Sequence, residues 1–299
     1  MAPTSVCRAD SRTLAAASYA TLLQRYPHYA RGLLWCNTFW IVPRPSLLTV
    51  LWPTPTTRQN QNHGIRQLVA HRLIEPTDEL ANAFRLGTHG VRVLNAHGIA
   101  ARYRHNPALR VANSLLLAGE FASALSHQLM SHAYVSRVSW REEPFVGQGA
   151  RADAFAYIEY RLDVGKPPGP SVLVRELGLL PPRTERMRVY LEIDRATETL
   201  GQLEQRVQNW ARVPRPPDAL GAERTIWLWV TTGNRVRARA IRDIWAQHLR
   251  FTAALVTTTH ELRGGTDDRP FDPLTTVWRA THVEWVQGGH IIGIPRLMS

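Results

Sequence analysis

Three carboxylates stand inside segments whose patterning otherwise reads as β-strand. Asp153 opens the run DAFAYIEY, and Glu192 and Asp194 lie two apart in VYLEID. Strand side chains alternate between faces, so Glu192 and Asp194 project from one side of a sheet. Two such strands side by side could bring Asp153 and Glu192 onto one Mg²⁺, an oxygen-ligand ion that nucleases use to activate water and stabilise a leaving oxygen. The same residues have a purely structural use. Glu192 and Asp194, with Arg195 or Arg206, would form a buried ion-pair network that holds the sheet to its helix.

A second constellation lies in the N-terminal third, where Arg58, Gln59, Asn60, Gln61, Asn62, His63 and Arg66 crowd the first turns of the helical segment TRQNQNHGIRQLVAHRL. Arg, Gln and Asn carry paired donors and acceptors that match base edges in the major groove, and a helix N-terminus favours nearby phosphate. Arg72 is counted with them as a DNA contact. A polar, solvated helix face would show the same residues.

Other signals are weak or absent. The 12 His are scattered without HExxH spacing, and Cys7 and Cys36 are in no metal-binding spacing. Gly165-Lys166 runs into Pro167 and Gly264-Gly265 reads as a turn, so no phosphate loop of an NTPase is present. Trp227, Trp229, Trp245, Trp278 and Trp285 could stack on bases, but the apolar strand around Trp227 and Trp229 favours core.

The elements that must position these groups follow from periodicity and punctuation. Residues 12–35 read as helix interrupted by Pro27, with Leu14, Leu22, Leu23, Leu33 and Leu34 as buried candidates, and Ser46–Trp52 reads as a short apolar helix. The turn Pro53-Thr54-Pro55-Thr56 caps the helix over Thr57–Leu73, whose apolar stripe is Ile65, Leu68, Val69 and Leu73. AFRLG and GVRVLN then read as the two arms of a hairpin about Thr88-His89-Gly90, although the second could begin a helix. Helix, turn, helix and wing is the order of a winged helix-turn-helix. Residues 107–132 form an amphipathic linking helix with Leu109, Val111, Leu115, Leu116, Phe121, Leu125 and Leu129 as its apolar positions. Strand-like runs SRVSW, DAFAYIEYRL and MRVYLEID follow, the last two separated by a Pro/Gly-rich insertion. A helix over Thr197–Val213, the strand TIWLWVTT, a helix over Arg235–Leu249, the strand FTAALVTTT and an edge element in the tail complete an α/β domain. The expected division is 1–106, a DNA-binding domain, and 107–299, an α/β domain.

At 299 residues and 44% hydrophobic content the chain can fill one large core or two. It carries 36 basic against 24 acidic side chains, a formal charge of +12 and a pI near 10.7. That balance favours a polyanionic partner over an acidic small molecule. Lys166 is the sole lysine, so the positive charge is almost all guanidinium, which binds phosphate bidentately but makes a poor general base. No apolar run is of membrane-spanning length and MAPTSVCRADSR lacks a secretory core, so a soluble cytoplasmic protein with no membrane partner is expected.

The succession WREE (140–143), RADA (151–154), YLEIDRATET (190–199) and GQLEQRVQNWARV, with the later VTTGNRVRARAI and VWRATHVEW, resembles the replication-relaxation family of plasmid and mobile-element proteins over most of residues 35–285. The resemblance implies a winged helix-turn-helix followed by a PD-(D/E)xK restriction-endonuclease-like mixed sheet domain. It implies double-stranded DNA as partner, with protein partners in a replication or mobilisation complex. Asp153 would stand at the PD aspartate, Glu192 at the acid of the second motif, and Glu143 at an upstream acid. Where that pattern wants a lysine the chain has Asp194, and in the following helix it has Arg206. Arginine offsets transition-state charge far better than it deprotonates water. Three expectations follow: a DNA-binding accessory protein with a degenerate nuclease-like domain, a Mg²⁺-dependent endonuclease acting through Asp153, Glu192 and Asp194, or a nonenzymatic scaffold.

Overall fold

A computed structural model describes residues 18–53, 56–77, 82–105, 109–131, 135–141, 152–161, 184–211, 224–248, 253–266 and 269–273, together with residues 14, 80, 276, 279 and 280. The chain forms two compact units, Met1–Ser123 and Ala124–Ser299. Their boundary falls inside the linking helix, not ahead of it at residue 107.

In the first unit, Ser18 caps helix α1 (Tyr19–Arg25) by accepting from Thr21 N at 3.2 Å. Pro27 then starts helix α2 (Pro27–Thr38), where a missing N–H is harmless. Strand β1 (Val42–Pro43) leads into helix α3 (Arg44–Leu51) and, after Thr57 caps it, helix α4 (Arg58–Ala70). Gly64 lets α4 sit against its neighbours, since a Cβ there would lie 2.6 Å from the Trp52 ring. Beyond the C-cap His71, Arg72 adopts a left-handed φ of 51°, and the N–H groups of Arg72 and Leu73 close on Val69 O and Leu68 O, both at 2.9 Å. This is a Schellman turn, sealed by the burial of Leu68 and Leu73.

Strands β2 (Ile74–Pro76) and β3 (Ala83–Leu86) pair antiparallel, and β1 joins the far side of β3 to give the order β1-β3-β2. The hairpin therefore lies one element earlier than the sequence predicts. GVRVLN belongs to helix α5 (Thr88–Ala96), because Gly90, Val93 and Leu94 bury one helical face and Glu75 Oε1 accepts from the Thr88 N–H at 3.2 Å. Leu23 also departs from expectation at 51% exposure, while Leu14, Leu22 and Leu33 are buried. Cys36 is buried, which pushes its thiol up to about 12 and leaves it inert.

Helix α6 (Leu109–Leu129) buries Phe121, Leu125 and Leu129 but exposes Val111. The second unit is mixed α/β. Strands β4 (Val135–Arg141), β5 (Ala154–Arg161) and β6 (Thr184–Asp194) form an antiparallel meander. From β6, helix α7 (Leu200–Ala211) crosses to the parallel strand β7 (Arg224–Thr231), and helix α8 (Arg235–His248) crosses to the parallel β8 (Ala253–Thr258). A short helix α9 (Thr259–Leu262) follows, and the two residues of β9 (Arg279–Ala280) pair antiparallel with β8, the expected edge element. The five long strands thus make a mixed sheet with the order β4-β5-β6-β7-β8, extended at its edge by β9.

One sheet face packs on α7 and α8 through Trp227, Trp229, Leu203, Val207, Trp210, Ile241 and Trp245. Trp210 stacks on Trp227 at 4.4 Å, so the three described tryptophans of the sequence expectation are core. On the other face, Trp140 Nε1 donates to Ser126 Oγ at 2.7 Å near the end of α6. Among the described residues no helix is long and apolar enough to cross a membrane.

Candidate nucleic-acid interface and acidic centre

The polar half of α4 is displayed on one side by helical spacing. Arg58, Asn62 and Arg66 recur at i, i+4 and i+8, and Gln59 and His63 fill the flank. Together these five line a shallow concavity of about 410 Å³. Arg58, Gln59 and Arg66 are exposed, whereas Asn62 and His63 are half-buried. Asn62 is fixed by its neighbour in space, since Arg44 Nη2 donates to its Oδ1 at 2.5 Å. Thr57 Oγ1 accepts from Asn60 N at 3.3 Å, which leaves Asn60 in the capping turn and outside the lining. Arg72 is exposed at the opposite end of the helix, on the Schellman turn. No acidic residue occurs in 57–73, so the helix dipole and the guanidinium groups attract anions together.

The acids of the second unit sit at the mouth of the sheet. Ala154 pairs with Leu191, and continuing that antiparallel register sets Asp153 opposite Glu192. The ladder stops there, and the next N–H, that of Ile193, is taken by Asp153 Oδ2 at 2.7 Å. Asp153 thereby caps the end of the β5–β6 ladder. Burial disfavours its charge and pushes its carboxyl up to about 6, against the partial relief given by the Ile193 N–H, Arg206 and Arg195.

Glu192 is 3% exposed. Its Oε1 accepts from Arg206 Nη1, and Nη2 of the same guanidinium donates to Glu198 Oε1, so Arg206 clamps two acids to α7. Its Oε2 is buried without a partner. Burial, then repulsion from Asp153, hold Glu192 well above the usual carboxylate range despite Arg206.

Asp194 occupies a separate pairing. It lies beside Thr231 in the β6–β7 register and accepts from Thr231 Oγ1 at 2.6 Å. Arg237 of α8 binds it in a fork, Nε to Oδ2 at 2.6 Å and Nη2 to Oδ1 at 2.8 Å. Burial would raise its pKa, but the Arg237 and Thr231 hydrogen bonds outweigh burial and lower it. Gly233 makes room for this fork, since a Cβ there would meet Arg237 Cδ at 2.7 Å.

Sequence reasoning therefore placed Asp153, Glu192 and Arg206 together and put Asp194 on the same sheet face. It missed Glu198, Thr231 and Arg237. The T-T-G-N-R-V-R run after β7 carried the signal, a tight strand-to-helix turn that aims helix-start arginines back at the strand ends. Glu143 and Lys166 lie outside the described residues.

Most oxygens of the three acids are already engaged within the protein, Glu192 Oε2 being an exception. Arg206 already occupies Glu192 Oε1, Arg237 holds both Asp194 oxygens, and Ile193 holds one oxygen of Asp153. Among the described residues no group of three or more His, Cys, Asp or Glu side chains is arranged to hold a metal ion. Comparison of the chain with protein-family models, curated proteins and solved structures finds no match.

Proposed function

We propose that the chain is a duplex DNA-binding accessory protein of a mobile element, a plasmid, phage or transposon, whose second unit is nuclease-like in plan and engages DNA or a partner without cutting. The observation that carries this reading is the acid-free concave face of α4, lined together by Arg58, Gln59, Asn62, His63 and Arg66. Its setting supports it. Two helices, α3 and α4, are followed by a β2–β3 hairpin that pairs with β1, the order of a winged helix. In the second unit, a helix, a three-stranded meander, a crossover helix and a parallel strand follow one another as in the restriction-endonuclease-like plan that the sequence resembles. Glu192 and Asp194 serve there as ion-pair anchors between sheet and helices, and Asp153 caps the β5–β6 ladder.

Fluorescence anisotropy on a labelled duplex across a salt series tests the interface. Affinity is expected to fall steeply with salt, and Arg58→Ala with Arg66→Ala should lower the log–log slope by about 2. Duplex affinity unchanged by that double variant would remove the assignment.

One observation favours active cleavage instead: the unpartnered, buried Glu192 Oε2 beside Asp153. Incubation of linear, supercoiled and single-stranded DNA with Mg²⁺ or Mn²⁺ separates the readings. Strand scission by the wild type that Asp153→Asn abolishes would establish an endonuclease, and intact DNA throughout supports the binding-only reading.

A further inference from the structure

Arg44 reaches α4 from the first residue of α3, where its own N–H donates to Asn82 O at 2.7 Å. Its Nη2 donates to Asn62 Oδ1 at 2.5 Å. The amide of asparagine has two unlike ends, an oxygen that accepts and an NH2 that donates, whereas a guanidinium can only donate. The partner therefore fixes the amide. Its oxygen must face Arg44, and the Nδ2 end is the one left to a ligand in the concavity that Asn62 lines.

An asparagine with both ends available matches adenine, whose N7 accepts and whose N6 donates. With its oxygen engaged, Asn62 offers hydrogens instead. Its neighbours in the row do the same by their chemistry, since Arg58 and Arg66 each carry five N–H donors and no acceptor. Both are exposed, and among the described residues neither is engaged by another side chain. The row Arg58, Asn62 and Arg66 is thus a line of donors over about two turns of helix. Gln59 and His63 on its flank keep acceptors of their own. Helical rise separates successive members of the row by about 6 Å, close to two base-pair steps of about 3.4 Å.

We propose that α4 reads guanines in the major groove, with Arg44 holding Asn62 as a donor so that the row selects guanine over adenine. Guanine alone shows two acceptors there, N7 and O6. Adenine and cytosine each show a donor amino group, and thymine shows one acceptor beside a methyl. An amino group set against the row would meet hydrogens with hydrogens, leaving its desolvation uncompensated. This specificity rests on the duplex-binding reading of α4 and adds the base that it takes. Arg44 is a positioning residue that acts through Asn62.

Anisotropy of the full chain on a labelled duplex with a guanine-rich strand, and on the same duplex with 7-deazaguanine in place of guanine, tests it. The replacement removes the N7 acceptor from the major groove and keeps the base pairing and the phosphates. Wild type should bind the guanine duplex about tenfold or more tighter than its 7-deaza counterpart. Arg44→Met frees the Asn62 oxygen, so it should narrow that gap and tighten binding to a duplex of A·T pairs. Arg44→Lys, still a donor only, should keep the wild-type preference. Asn62→Asp turns the position into an acceptor and should lose the preference; it stands in if thermal melting shows that Arg44→Met folds poorly. Equal affinity for the guanine and 7-deazaguanine duplexes, or an Arg44→Met variant that weakens every duplex alike, overturns the proposal. The duplex-binding reading survives that result if Arg58→Ala with Arg66→Ala still lowers affinity, and falls with it if the double variant binds as wild type does. Absence of any duplex binding overturns both.

Discussion

Replacing Asp153 by asparagine should stabilise the protein at neutral pH and leave it unchanged in acid. The Asp153 carboxyl titrates at about 6 against an ordinary 3.8, chiefly because burial disfavours its charge. Below pH 4 the folded and unfolded states both hold the proton. Between about pH 4 and 6 the folded state keeps it while the unfolded chain has lost it, so stability falls by about 1.4 kcal/mol per pH unit. Across that window the loss sums to about 3 kcal/mol, and it persists at every higher pH. Asparagine keeps an oxygen to accept from the Ile193 N–H and carries no charge to bury. It also relieves the repulsion that raises Glu192. Urea unfolding at pH 4, 5.5 and 7.5, followed by the fluorescence of the buried Trp210, Trp227, Trp229 and Trp245, reads the difference between wild type and variant. The difference should be below about 1 kcal/mol at pH 4 and approach about 3 kcal/mol at pH 7.5. A variant less stable than wild type at pH 7.5 would refute the reasoning, for it would mean that the anion of Asp153 is held by a cation that outweighs its burial.

Three further perturbations follow from the packing. Arg206→Met strips Glu192 and Glu198 of their shared guanidinium and should destabilise by roughly 3 kcal/mol, most of it restored by adding Glu192→Gln; a urea double-mutant cycle with no coupling would contradict the clamp. Gly64→Ala drives a methyl into the Trp52 ring and should lower stability by about 1–3 kcal/mol, read as a fall in Tm, with weaker duplex binding as α4 is displaced. Arg72→Gly suits the left-handed backbone, so stability should hold or rise by up to about 1 kcal/mol. The same change should reduce the salt slope of duplex binding by about 0.9, and an unchanged slope would place Arg72 away from the phosphates.

What the sequence made legible is what local chemistry controls. Pro27 and Thr57 mark helix starts by rules that act within one turn, and the alternation in VYLEID sets Glu192 and Asp194 on one face. The hairpin was placed one element late because AFRL and GVRVLN have similar apolar content. Burial of Gly90, Val93 and Leu94 on one helical face, and Glu75 of β2 accepting from the Thr88 N–H, favour helix for the second. Leu23 and Val111 fit the helical stripe by spacing, yet both side chains stay exposed, and spacing cannot say where a packed face ends. Asp194 finds Arg237 across 43 positions, and Glu192 finds Arg206 across 14. The nearer pair was in view because it joins a strand to the next helix. The farther one needs β7 to run parallel beside β6, a fact of topology that no local pattern carries.

The near absence of lysine takes on a definite sense in this arrangement. A guanidinium stays charged even when half-buried and presents a flat fork, so Arg206 can hold Glu192 and Glu198 at once and Arg237 can grip both oxygens of Asp194. An ammonium in either place would bind as a point charge and could lose its proton on burial. The same property makes arginine a poor base, and here it fastens the acidic strand end of β6 to helices α7 and α8. On α4 the identical side chain has no acid within 57–73 to close upon, so Arg58 and Arg66 remain turned to solvent and open to phosphate. Whether an arginine fastens the fold or faces a partner is thus decided here by the carboxylates its element can reach.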